Sequence, residues 1–122
     1  PKPWGAVLPA GGGAPGAAYM AMHKAALAGD VDAMVKLATK ERAAEMDKAR
    51  KQPEFAGMIE LIKAMEPAEV HVVSGQANAT KAELQIAGKD ADGSSMKGTV
   101  SLLMEGGAWK IEKVDSTSSM GK

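Results

Sequence analysis

The sequence predicts a two-layer α+β domain, with three or four N-terminal helices packed on one face of a four-stranded antiparallel sheet. The apolar residues follow a helical period as far as Met65 and alternate from Val70 onward. The alternating segments are apolar on one face only, so the segregated helices must cover that face. Gly106-Gly107, between two alternating runs, marks a tight hairpin that ties the last two strands together.

Residues 1–15 read as a proline- and glycine-rich arm or linker, 16–118 as the folded domain, and 119–122 as a tail. The first 18 residues hold four of the six prolines, five of the fourteen glycines and one charge, Lys2. The stretch from Pro9 to Gly16 is unsuited to a helix or a central strand. Trp4, Val7 and Leu8 could anchor the arm to the domain. The chain starts at Pro1 without a signal peptide, which fits a leader that has been removed or left out.

The first helix is expected over Ala17 to Ala28, with Tyr19, Met22 and Ala26 on one stripe and Met20, His23 and Leu27 beside it. Gly29 suits a left-handed helix end, and Asp30 suits the N-cap of the next helix, which carries Val31, Met34, Val35 and Ala38. Thr39 can cap a third, charged and solvated stretch from Lys40 to Lys51. Gln52-Pro53 breaks it. Glu54 to Met65 is the clearest helix, with Phe55, Met58, Ile59, Ile62 and Met65 in one apolar stripe, and Pro67 ends it.

Val70 and Val72 then alternate with His71 and Val73, Gly75 to Asn78 reads as a turn, and Ala82, Leu84 and Ile86 alternate with Glu83 and Gln85. Gly88 to Ser95 reads as a polar loop. Val100, Leu102 and Met104 form the next apolar face. With Gly106 and Gly107 as the hairpin loop, Met104 lies opposite Trp109 and Leu102 opposite Ile111. Leu103 then lies opposite Lys110, and Ser101 opposite Glu112. A one-residue slip would scramble both faces.

Composition narrows the function. Lys+Arg and Asp+Glu number 15 each, so the net charge is zero and the basic excess of a nucleic-acid binder is missing. No apolar run approaches the roughly eighteen residues of a transmembrane helix. Without cysteine there is no disulfide, thiolate metal site or cysteine nucleophile. Aromatics are 3%, so Ala, Val, Leu, Ile and nine Met must build the core.

Helices followed by a sheet ending in Glu105-Gly-Gly-Ala-Trp-Lys-Ile-Glu112 resemble the nuclear transport factor two-like superfamily of cone-shaped, cystatin-like domains. Ala28-Gly-Asp-Val-Asp-Ala33 resembles a helix junction of its bacterial exported and lipoprotein branch. The resemblance spans about residues 16–116. It implies a bacterial protein, exported to the periplasm or anchored by a preceding segment, and a homodimer paired through the open sheet face. The superfamily holds enzymes such as ketosteroid isomerase and scytalone dehydratase, which project Tyr, Asp or His into the cone, and many non-catalytic binding domains. Here the inward strand positions are Val, Leu, Ile, Ala, Met and Trp, with no carboxylate among them.

The first reading is therefore a non-catalytic binding or assembly domain without cofactor or catalytic residue. The second is a carrier of a small apolar ligand, with a pocket between the first helix and the sheet lined by Tyr19, Met58, Met104 and Trp109. The third is an enzyme using Tyr19 and His23, which are spaced i, i+4 and can meet, though the sequence identifies no acidic partner for them. Met20, Met22 and His23 have the softness to hold copper but equally pack beside Tyr19 and Leu27. With His23 and His71 on different elements, no copper or zinc site is expected. Met22, Met34, Met46 and Met58 recur every twelve residues, yet on one helix that step turns by about 120° and scatters them. Gly11-Gly-Gly13 lacks the Lys-Ser/Thr of a phosphate loop. His71, Val73 and Leu103 belong on the open face of the sheet.

Overall fold

A computed structural model describes residues 5–119, and Trp4 lies outside them. Four helices, α1 (Gly13–Ala28), α2 (Val31–Leu37), α3 (Lys40–Ala49) and α4 (Phe55–Met65), precede most of the sheet. The strands are β1 (Ala6–Val7), β2 (Glu69–Ala77), β3 (Lys81–Lys89), β4 (Ser95–Glu105) and β5 (Ala108–Ser119). All pair antiparallel, in the order β1-β2-β3-β4-β5. The expected α+β architecture is present, with a fifth strand. Ala6 and Val7 join the edge of the sheet opposite Ala77 and Gln76, and Leu8 packs against the core.

Helix α1 begins at Gly13, ahead of the expected Ala17. Pro15 falls in its first turn, where a missing N–H leaves no hydrogen bond unmade. Gly29 ends α1 in the left-handed conformation. Asp30 Oδ1 accepts from Ala33 N, and Thr39 Oγ1 accepts from Arg42 N, so both expected caps form. Gly75 lies inside β2. The turn is instead made by Asn78, whose Oδ1 accepts from Thr80 N and Lys81 N.

The β4–β5 hairpin has the expected register through Glu105–Ala108, Met104–Trp109, Leu103–Lys110 and Leu102–Ile111. Gly106 and Gly107 both have positive φ, 58° and 81°. Beyond Leu102 the register shifts, and Ser101 pairs with Lys113 in place of Glu112. A bulge at Glu112 re-phases β5, so that Val114 meets Val100 on the helix side. A second bulge at Val73 puts Ser74 opposite Gln85 and Gly75 opposite Leu84.

Leu84, Ile86, Val100, Leu102 and Ile111 are the most deeply buried large side chains, and α1 covers them with Tyr19. A second cluster, Ala25, Ala26 and Met34 with Ile59 and Ile62, joins the helices to one another. Helix α4 therefore lies on α1, outside the sheet layer. Its predicted stripe is only partly covered: Met58 is 39% and Met65 69% exposed.

Candidate functional site

A cavity of about 210 Å³ lies at the seam between the two apolar clusters. Helix α1 contributes Tyr19, Met22 and Ala26; α2 contributes Met34; α3 contributes Arg42 and Met46. Ile62, Met65 and Glu66 enter from α4 and its end, and Ile86, Met96, Val114 and Ser116 from the sheet. Most of this wall is apolar. The volume is below the roughly 300 Å³ at which drug-sized ligand sites begin.

The polar corner is built on a helix contact. Tyr19 and His23 stand one turn apart on α1 and both are buried. Glu66 follows the last turn of α4, whose Ile59 and Ile62 pack against the Ala25–Ala26 face of α1. That packing brings Glu66 Oε2 to 2.7 Å from His23 Nδ1. Burial pushes the Glu66 carboxyl above its ordinary range, and the hydrogen bond and charge of His23 oppose that shift. Burial, with the nearby Glu66 charge, also raises Tyr19 well above the usual phenol range. Tyr19 is therefore a proton holder at neutral pH. Arg42 completes the corner from α3, with Nη1 donating to the Glu112 carbonyl at 3.2 Å.

Among the sequence candidates, the structure buries Tyr19 and His23 one turn apart on α1, pairs His23 with Glu66, and lines the cavity with Tyr19. It places Met58 on the outer side of α4, and Met104 and Trp109 opposite one another near the β4–β5 turn, away from the cavity. Sequence reasoning missed Glu66, the acidic partner of His23. The signal was present: Ile59, Ile62 and Glu66 follow i, i+3, i+7 on one helix face. It also missed the convergence of Met22, Met34 and Met46. His71 is exposed on the open sheet face, as its alternation with Val70 and Val72 suggests. That face carries a shallow groove of about 730 Å³, with Val73, Gln85, Lys97, Thr99 and Asp115 on its walls. Among the described residues no helix is long and apolar enough to cross a membrane.

Four helices gathered on one face of a five-stranded antiparallel sheet make an α+β fold of the nuclear transport factor two-like kind, as comparison with solved structures shows. Two solved structures are similar. An NTF-2-like protein of unknown function from Silicibacter pomeroyi superposes with a TM-score of 0.60 at 16% identity, over 87% of this chain and 93% of that one. A SEC-C motif containing protein from Rhodopseudomonas palustris superposes with a TM-score of 0.63 at 12% identity, over 84% of this chain and 77% of that one. Identities this low establish the shared fold alone. No family model matches the chain, and no curated protein is similar to it in sequence.

Proposed function

We propose that this chain is a non-catalytic binding domain whose ligand occupies the seam cavity. The observation that carries the reading is the cavity wall, apolar over most of its area with one polar corner at Tyr19, Glu66 and Arg42. Such a wall suits a small ligand with an apolar body and one polar end. Toluene is a suitable probe, because apolar cavities of about 150 Å³ take up benzene-sized molecules. Saturable NMR shifts at Ile62, Ile86 and Val114 methyls are expected, and Ala26→Leu, which fills the cavity, should abolish them. No shift in the wild type would remove the reading.

The same domain is proposed to assemble as a homodimer through the open sheet face. Support comes from Val73, 58% exposed on that face, with the half-buried Leu103 on the same face. Light scattering over a dilution series tests this; a monomer at high micromolar concentration defeats it. Export is proposed on the resemblance of residues 28–33 alone, and cell fractionation decides it.

An enzyme reading has one observation in its favour: Glu66 supplies His23 with the carboxylate that orients an acid–base imidazole. A substrate whose turnover fails in His23→Gln while toluene binding persists would promote it.

A further inference from the structure

The twelve-residue spacing of Met22, Met34 and Met46 scatters them on a straight helix. The chain is not straight there. It turns at Gly29–Asp30 and again at Ala38–Thr39, so the three methionines sit on α1, α2 and α3 and all line one cavity. Met65 joins them from α4 and Met96 from β4, so five of the nine methionines meet around about 210 Å³. Met34 and Met96 are buried, Met22 and Met46 are half-buried, and Met65 is at the exposed edge.

A thioether is a soft, neutral donor that carries no proton at any ordinary pH, and soft sulfur ligands select monovalent copper over hard or borderline ions. In a chain without cysteine, methionine is the source of soft sulfur. Three rotatable bonds let each side chain turn its sulfur inward. On the same wall Glu66 is held by His23 and Arg42 donates to the Glu112 carbonyl, so the thioethers are the donors the wall leaves for a soft cation. Among the described residues no group of three His, Cys, Asp or Glu offers a rival site for a harder metal.

We propose that the seam cavity is a methionine site for a soft monovalent metal ion, Cu(I), formed by Met22, Met34, Met46, Met65 and Met96. This rests on the reading of the cavity as the binding site and adds a soft metal ion to what its wall can hold. It departs from the sequence-based expectation of no copper or zinc site, which weighed Met20, Met22 and His23 on one helix and the two histidines on different elements.

The test uses Ag(I) as a redox-inert probe and Cu(I) under anaerobic conditions in competition with a chromogenic chelator. Ag(I) should shift the ¹³Cε methyl signals of the five cavity methionines at one equivalent and leave Met58 and Met104 unmoved. Met34→Leu/Met96→Leu should weaken Cu(I) at least tenfold while keeping the circular dichroism spectrum, because Leu preserves volume and apolarity. If that double variant does not fold, Met22→Leu/Met46→Leu at the half-buried positions gives the same comparison. Equal shifts at exposed Met58, no shift at all, or a folded double variant that binds Cu(I) as wild type would each overturn the proposal. In those cases bound toluene leaves the binding-domain reading standing, and absence of both ions and toluene removes it too.

Discussion

Removing the Glu66 carboxylate should destabilise the protein and change the shape of its pH–stability curve. The side chains of His23 and Glu66 are 8% and 19% exposed, and their atoms meet at 2.7 Å. Both are well desolvated, so the loss is that of a mostly buried polar pair. Glu66→Ala strands the His23 ring nitrogen, and stranding a buried polar group costs about 1–3 kcal/mol. For a domain of this size that is a melting-point drop of roughly 3–15 °C. The paired variants His23→Ala and Glu66→Ala should be non-additive by at least about 0.5 kcal/mol.

The pH dependence has a definite sign. The folded protein holds the Glu66 proton more tightly than the unfolded chain, whose ordinary value is 4.5. Above that value the folded state binds more protons than the unfolded one, so stability falls as pH rises through the raised folded value. Below 4.5 both states are protonated and the contribution is constant. His23 and Tyr19 from α1 and Arg42 from α3 face this corner in wild type and in Glu66→Gln alike. Urea denaturation at a series of pH values should therefore show wild type losing stability relative to Glu66→Gln as pH rises above about 4.5. Parallel profiles, or a relative gain by wild type, would refute the burial argument. A Glu66→Ala variant as stable as wild type would refute the pairing.

Two further outcomes test the packing. Ile111→Ala, at a fully buried position, should cost about 2–5 kcal/mol, while Trp109→Ala, half-buried near the turn, should cost less than the ~3–5 kcal/mol of a fully buried aromatic; urea midpoints compare them directly. Gly16→Ala should lower the melting temperature sharply, because its Cβ would collide with the Gly11 carbonyl oxygen at the entry to α1, and a thermal scan indistinguishable from wild type would refute that collision.

The helices, the caps at Asp30 and Thr39 and the hairpin next to Gly106 were legible because each is encoded within a few neighbouring residues. The alternation of Leu102 and Met104 against Trp109 and Ile111 fixes that pairing locally. What lay beyond Leu102 was harder. The step from Ile111 to Val114 is three residues, and an alternating template cannot represent it without an inserted residue. The seam cavity was less legible still. His23 and Glu66 are separated by 43 positions, and only the packing of α4 on α1 brings them together. The breaks that carry Met34 and Met46 into line with Met22 were visible as Gly29, Asp30 and Thr39, but the angles between those helices were not.

The two bulges mark where this sheet can change length. Elsewhere in β2 or β5, deleting one residue inverts the strand beyond it, turning apolar side chains to water. Deleting Val73 or Glu112 removes the supernumerary residue itself and restores simple alternation, with Val72 followed by Gly75 and Ile111 followed by Val114 on the same side. Such a shortened chain keeps its pairing but loses local twist and bend. Descendants of this gene could therefore gain or lose single codons at these two points and arrive at a flatter sheet, with a differently shaped space beneath the helices and no substitution in its walls.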